Sequence, residues 1–274
     1  MDHVFLFSIL ALLLNLSQAR PAMVLTNNQN IHSEKHDEKD ISSQILEANK
    51  EISHSLLEGD LAMPKTKNAM KCLKNYCRWP KNTSGLVEVP YTISASYDNN
   101  TKMMIVSAMK SIANKTCIRF VPQSNQTDYI SIESLTGCWS YLGRIGGKQS
   151  ISISVSGCVN HGIIEHELLH SLGFYHEHTR SDRGQYVRIN WENIAPASVS
   201  NFELKDTNNL NTTYDYTSIM HYGRTSFTIQ SGKETITPIP DSSVKIGQRV
   251  EMSTIDILRI NKLYECAAGR LSGY

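Results

Sequence analysis

The chain has 274 residues, 40% of them hydrophobic and 19% charged, with a net charge of +1. That composition is globular, which excludes wholesale disorder, and the near-zero charge excludes a strongly basic nucleic-acid binder. No apolar run beyond the first twenty residues is long enough for a membrane span, so the body is not a membrane bundle.

Val4 to Leu16 is an apolar stretch broken only by Ser8 and Asn15, and Ser17-Gln18-Ala19 follows as a small-x-small cleavage pattern. Residues 1–19 therefore read as a secretory signal peptide, although Asp2 and His3 stand where Lys or Arg is usual. Residues 20–40 are polar and unpatterned and read as disordered. Ile41, Ile45, Ile52 and Leu56 recur at helical spacing, which predicts a short amphipathic helix ending at Gly59. Met63-Pro64-Lys65-Thr66-Lys67 reads as an exposed linker open to a trypsin-like protease. The segment up to Lys67 is mildly acidic and the body mildly basic, as suits an intramolecular mask.

From Asn68 onward the pattern changes. Strands are expected at Val87–Ser94, Ile118–Val121, Tyr129–Glu133 and Ser150–Val155 from alternation and β-branching. Ile105, Ala108, Met109 and Ile112 mark an amphipathic helix, and a further helix is expected from Val159 to Leu172. A last helix spans Ser253 to Tyr264, with Ser253 as N-cap and Asp256 three residues on. The rest of the second half is rich in turn residues. The expected class is α+β, a mixed sheet followed by a largely irregular and helical half.

All six cysteines lie after residue 71. An even number behind a signal peptide implies disulfides, and six cysteines allow fifteen pairings. Glycosylation sequons stand at Asn82, Asn99, Asn114, Asn125 and Asn211.

The central chemical signal is His166-Glu167-Leu168-Leu169-His170. Residues four apart share one helix face, so two imidazoles there can bind one ion. Glu167 between them can reach a water on that ion and take its proton. Gly173 and His176 follow at three and six residues. A glycine can end the helix in the left-handed region and turn the chain, bringing His176 to the same ion. Three protein ligands with one open position describe a catalytic zinc site.

The stretch His166 to Arg183 (HELLHSLGFYHEHTRSDR) resembles the signature of the astacin family of metzincin zinc endopeptidases. The resemblance continues at Ser218-Ile219-Met220-His221-Tyr222, similar to the family's Met-turn, and covers residues 68–266. It implies one zinc held by His166, His170 and His176, with Glu167 as general base. It also implies Met220 beneath the metal and Tyr222 as a switching phenol that hydrogen-bonds the oxyanion. Glu177 resembles the glutamate that pairs with the mature N-terminus. Leu57-Glu58-Gly59-Asp60 resembles the pro-segment motif whose aspartate caps the zinc, making Asp60 the zymogen switch. By the same resemblance the disulfides are Cys117–Cys266 and Cys138–Cys158, leaving Cys72–Cys77. His161, His178 and His221 are expected only in supporting or solvent roles, and the basic residues of 180–188 in a solvated or salt-bridged loop.

The implied organisation is a signal peptide (1–19), a propeptide (20–67) and an astacin-like peptidase domain (68–274), with cleavage at Lys67–Asn68. The third cysteine pair and Asn68-Ala69-Met70-Lys71-Cys72 resemble the six-cysteine astacins of fish, which include hatching enzymes. The chain stops eight residues after Cys266, and the expectation is a small secreted monomer without appended modules. Its expected substrates are extended polypeptides, foremost egg envelope glycoproteins. The alternatives are another secreted six-cysteine astacin cutting other extracellular proteins, and a non-catalytic binding protein on the same fold.

Overall fold

The computed structural model describes residues 40–63, 77–248 and 250–267. These fall in one compact unit, Glu38–Tyr274, of the two into which the chain divides. The signal peptide, the polar leader to residue 39, the Lys67–Asn68 bond and Cys72 lie outside the described residues.

The chain enters through α1 (Ile41–Ala48), capped by the Asp40 side chain, which accepts from the Ser43 N–H. Ile41 and Ile45 are buried. The helix stops at Ala48 and does not continue to Gly59. A short 3-10 turn leads into β1 (Leu56–Leu57), and the chain reverses into β2 (Leu61–Ala62). Glu58 and Gly59 both have positive φ, 50° and 82°. A Cβ on Gly59 would lie 2.5 Å from Leu46 Cδ2, so glycine is required twice over. The Ile52 and Leu56 positions that looked helical belong to this turn and hairpin.

The body sheet contains β3 (Val87–Ile93), β4 (Ile118–Pro122), β5 (Tyr129–Glu133), β6 (Cys138–Tyr141) and β7 (Lys148–Ile153). With the hairpin it runs β1-β2-β6-β7-β5-β3-β4. The pairs β3–β4, β3–β5 and β5–β7 are parallel, whereas β6 is antiparallel to β7. The rim strand of the body sheet is therefore the antiparallel β6, and β2 lies along its outer edge in parallel register, Leu61 opposite Ser140. β6 went unread in the sequence because four residues are too few for alternation to register.

Helix α2 (Asn99–Lys115) begins at Asp98, whose carboxylate accepts from the Thr101 N–H at 2.7 Å. It buries Ile105, Ala108, Met109 and Ile112 in one core with Val87, Val89, Ile130 and Ile132. Each such side chain, fully buried, contributes about 1.5–3 kcal/mol. Helix α3 (His161–Ser171) is N-capped by Asn160 and buried from Gly162 through Ser171. It therefore lacks a polar face and is apolar or chemically committed all round.

Beyond α3 the chain runs through short 3-10 turns, the two-stranded β8 (Val187–Ile189) and β9 (Ile236–Pro238), and α4 (Thr254–Leu263). Val187, Ile194, Phe202, Tyr214, Tyr222 and Ile236 form a second core there. Cys117 is bonded to Cys266 and Cys138 to Cys158. Cys77 is also disulfide-bonded. Among the described residues no helix is long and apolar enough to cross a membrane.

Candidate metal centre and catalytic cleft

His166 and His170 leave α3 one turn apart on the same face, with ring centroids 4.6 Å apart. The helix ends at once: Gly173 takes φ 104°, and its N–H donates to the His170 carbonyl at 2.9 Å. The turn brings His176 back, with ring centroids 4.7 and 5.1 Å from His170 and His166. Asp60, 106 residues before His166, completes the group. Its Oδ2 lies 3.1 Å from His166 Nε2 and 3.2 Å from His176 Nε2, and its Oδ1 lies 3.3 Å from His170 Nε2. The ligand atoms of these four buried residues all lie within 4.8 Å of one another.

The group fits zinc by its own chemistry. His166 Nδ1 meets the Ile219 carbonyl at 2.9 Å, His170 Nδ1 the Phe174 carbonyl at 2.7 Å, and His176 Nδ1 the Glu58 carboxylate at 2.8 Å. A proton on each Nδ1 leaves each Nε2 lone pair directed at the common centre. Three imidazole nitrogens and one carboxylate oxygen form a four-coordinate set suited to zinc. His170 Nε2, Asp60 Oδ1 and both Glu167 oxygens are buried without hydrogen-bond partners, as a site shaped for a cation leaves them.

Electrostatics divide the two carboxylates. Burial pushes the Asp60 carboxyl up, but the surrounding imidazoles of His176, His170 and His166 outweigh it and hold it well below the usual range. Burial, and then the Asp60 charge, hold the Glu167 carboxyl well above that range. The imidazoles favour the charged form of Asp60, and burial disfavours the charged form of Glu167.

Tyr222 lies beside His176, ring centroids 4.6 Å apart, and its hydroxyl donates to the Glu58 carbonyl. Burial, then the charges of Asp60 and Glu58, hold the phenol well above its ordinary pKa, so it stays a donor. His178 stacks on the Tyr222 ring at 3.8 Å and bonds the Asn201 carbonyl through Nε2. His221 bonds the Tyr222 carbonyl and the Tyr214 hydroxyl, each at 2.8 Å. Both histidines are buried against Tyr222 and not in solvent, whereas His161 remains partly exposed beside Glu165. Met220 is buried in the same turn.

Glu177 is gripped by Arg259 through two bonds, 2.5 and 2.8 Å, by Arg180 at 3.4 Å and by the Asp215 N–H at 2.7 Å. Arg180 and Arg183 are buried and Arg180 pairs with Glu177 and Asp182, so of the two expectations for this loop the structure has the salt-bridged one. Sequence reasoning left Glu58 without a role, although it lies inside the quoted motif; it binds His176 and, at 3.6 Å, Lys205. It also missed Asn49, Asp256 and Arg259. Only Asp256 carried a signal, and that signal was for helix capping.

A family model described as Astacin, a peptidase family, matches residues 72–265. The chain belongs to the astacin family. This astacin is 52% identical over 263 residues to Low choriolytic enzyme of Oryzias latipes, covering 94% of the chain and 97% of the relative. It is 56% identical over 227 residues to High choriolytic enzyme 1 of the same fish, covering 83% and 84%. Among solved structures it matches High choriolytic enzyme 1, a hatching enzyme zinc-protease from medaka, at 58% identity and a TM-score of 0.70. That match covers 73% of this chain and all of the other. The astacin is thus a zinc metalloendopeptidase closely related to hatching enzymes.

Proposed function

We propose that the chain is the secreted zymogen of a hatching enzyme that digests egg envelope proteins. In this reading residues 1–19 are removed as a signal peptide. Residues 20–67 are a propeptide released by a trypsin-like protease at Lys67–Asn68, and residues 68–274 are the working enzyme. The observation that carries it is the Asp60 carboxylate in contact with three imidazoles, beside the unpartnered Glu167. The similarity to two choriolytic enzymes supports the envelope as substrate.

His166, His170 and His176 would hold the ion, and Asp60 fills the position a nucleophilic water needs. Bound zinc supplies Lewis acidity, making a water nucleophilic near neutral pH and polarising a peptide carbonyl. Glu167 accepts the proton that water loses as its oxygen bonds the carbonyl carbon. It then delivers that proton to the amine nitrogen as the C–N bond breaks.

Tyr222, freed from the Glu58 carbonyl, donates to the oxyanion. The β6 edge, freed from β2, offers its backbone to an extended substrate. An ammonium created at Asn68 reaches Glu177 only by joining or displacing Arg259 and Arg180. Asn99, Asn114, Asn125 and Asn211 are exposed and suit glycans, whereas the Asn82 amide is spent on Glu88 and its own turn.

The test is the peptidase activity of the secreted chain before and after trypsin, with a zinc chelator and Glu167→Gln as controls. Isolated egg envelope is compared with other extracellular matrix proteins. The reading expects activity only after trypsin, loss in both controls, and envelope digested first. Activity that survives both controls would refute the site, and indifference to the envelope would refute the hatching role alone.

A further inference from the structure

We propose that one face of α4 positions the zinc centre from behind. The inference rests on the zinc-site reading above and assigns two residues to it, Asp256 and Arg259.

Ser253, Asp256 and Arg259 recur every third residue, so they leave the helix on one side. As a capping box, Ser253 and Asp256 satisfy each other's backbone N–H groups. A cap of that kind needs no burial and no further partner. Asp256 is nevertheless buried, and its carboxylate also accepts from Ser218 Oγ at 2.6 Å and the Ile219 N–H at 3.0 Å. The carbonyl of that same Ile219 is the one that orients His166 Nδ1. Asp256 therefore fixes the residue that aims the first imidazole.

Arg259 does the corresponding work for the third. Its guanidinium forks onto Glu177, the residue adjoining His176, and the Glu177 N–H donates to the Met220 carbonyl at 2.9 Å. Nε and Nη2 of Arg259 also hold Thr212 Oγ1 and the Thr213 carbonyl, both at 2.9 Å. One guanidinium thus ties the loop after α3 to the approach to the Met-turn. A buried Arg–Glu pair is weak as a stabilising device, because desolvating both ions offsets their attraction. Its use here is geometric. The helix itself is a fixed frame: Cys117–Cys266 anchors the chain beyond its C-terminus, and Tyr264 donates to the Leu172 carbonyl at the end of α3.

Groups that orient metal-binding imidazoles typically change metal affinity about 10–100-fold when altered. The test compares Asp256→Asn and Arg259→Lys with Ile260→Val, a core change on the same helix, in the uncleaved chain, where Arg259 grips Glu177, and again after trypsin activation for the kinetics. Four quantities are read: zinc dissociation by chelator competition, the visible spectrum of the cobalt-substituted protein, kcat against KM, and Tm. The expected result is about tenfold weaker zinc retention, a shifted cobalt band and lower kcat at unchanged KM in the first two variants. Ile260→Val should lower Tm alone.

Unchanged zinc affinity and cobalt spectrum in Asp256→Asn and Arg259→Lys, whatever their Tm, would overturn the proposal. If Asp256→Asn does not fold, Arg259→Lys decides by its separate route through Glu177. Wild-type protein that retained no zinc would overturn the zinc-site reading and this inference with it. Normal zinc retention in wild type and variants alike would defeat this inference alone.

Discussion

Removing the Asn49 amide should unlatch the pro-segment. Asn49 is fully buried between α1 and the rim strand. Its Nδ2 donates to the Cys138 carbonyl at 2.6 Å and to the Gly59 carbonyl at 2.8 Å, and its Oδ1 accepts from the Cys138 N–H at 2.7 Å. The side-chain amide thus imitates a backbone partner at the head of β6, while β2 pairs farther along at Ser140 and Tyr141. Asn49→Ala deletes three hydrogen bonds, of which the two with Cys138 join the pro-segment to the body, each contributing about 1 kcal/mol net, for about 2 kcal/mol of docking. That is roughly a thirtyfold change in the equilibrium between the docked and lifted pro-segment.

The assay is the initial rate of cleavage of a quenched fluorescent peptide by the uncleaved chain. Serine-protease inhibitors are present, and chain integrity is checked by mass spectrometry. The mutant should leak about thirtyfold more activity than the wild type. Asn49→Asp should leak as well, because a carboxylate would face two carbonyls. The reasoning fails if Asn49→Ala stays as silent as the wild type while Asp60→Ala is active in the same assay.

Tyr222→Phe in the activated enzyme should lower kcat by about 10²–10³ with little change in KM, the loss characteristic of one oxyanion donor. Equal effects on kcat and on ground-state inhibitor binding would instead make Tyr222 a packing residue. Replacing Cys117 and Cys266 by Ser should cost about 5 kcal/mol by chain entropy, against about 3 kcal/mol for Cys138 and Cys158. The sequence separations behind that difference are 149 and 20 residues. Urea unfolding of the two double mutants measures it, and a larger loss at Cys138–Cys158 would rule out loop entropy as the source.

Much of the body was legible because its signals are local. β4 and β5 emerged from alternation, and α2 from a stripe of Ile105, Ala108, Met109 and Ile112 that is buried throughout. The leader misled because Ile41, Ile45, Ile52 and Leu56 share a period without sharing a helix. The Asn49 backbone caps α1, and its side chain is bonded to Cys138, 89 residues away. No periodicity encodes that contact. The loop after α3 stayed undecided between solvated and salt-bridged for a related reason. Arg180 and Arg183 look like surface charges until Glu177, the Thr213 carbonyl and the Trp191 ring surround them.

What the sequence determined alone is the donor set within one stretch of chain. Four-residue spacing on a helix brings His166 and His170 to one face whatever surrounds them, and a glycine at Gly173 permits the reversal that returns His176. Those geometries follow from backbone stereochemistry over a few residues. Tertiary structure decided what meets that set: Asp60 from 106 residues upstream, Asn49 on the rim strand, and Arg259 on Glu177 from 82 residues downstream. Such contacts arise only when packing of the whole core brings distant segments into register, and short-range spacing carries no record of that.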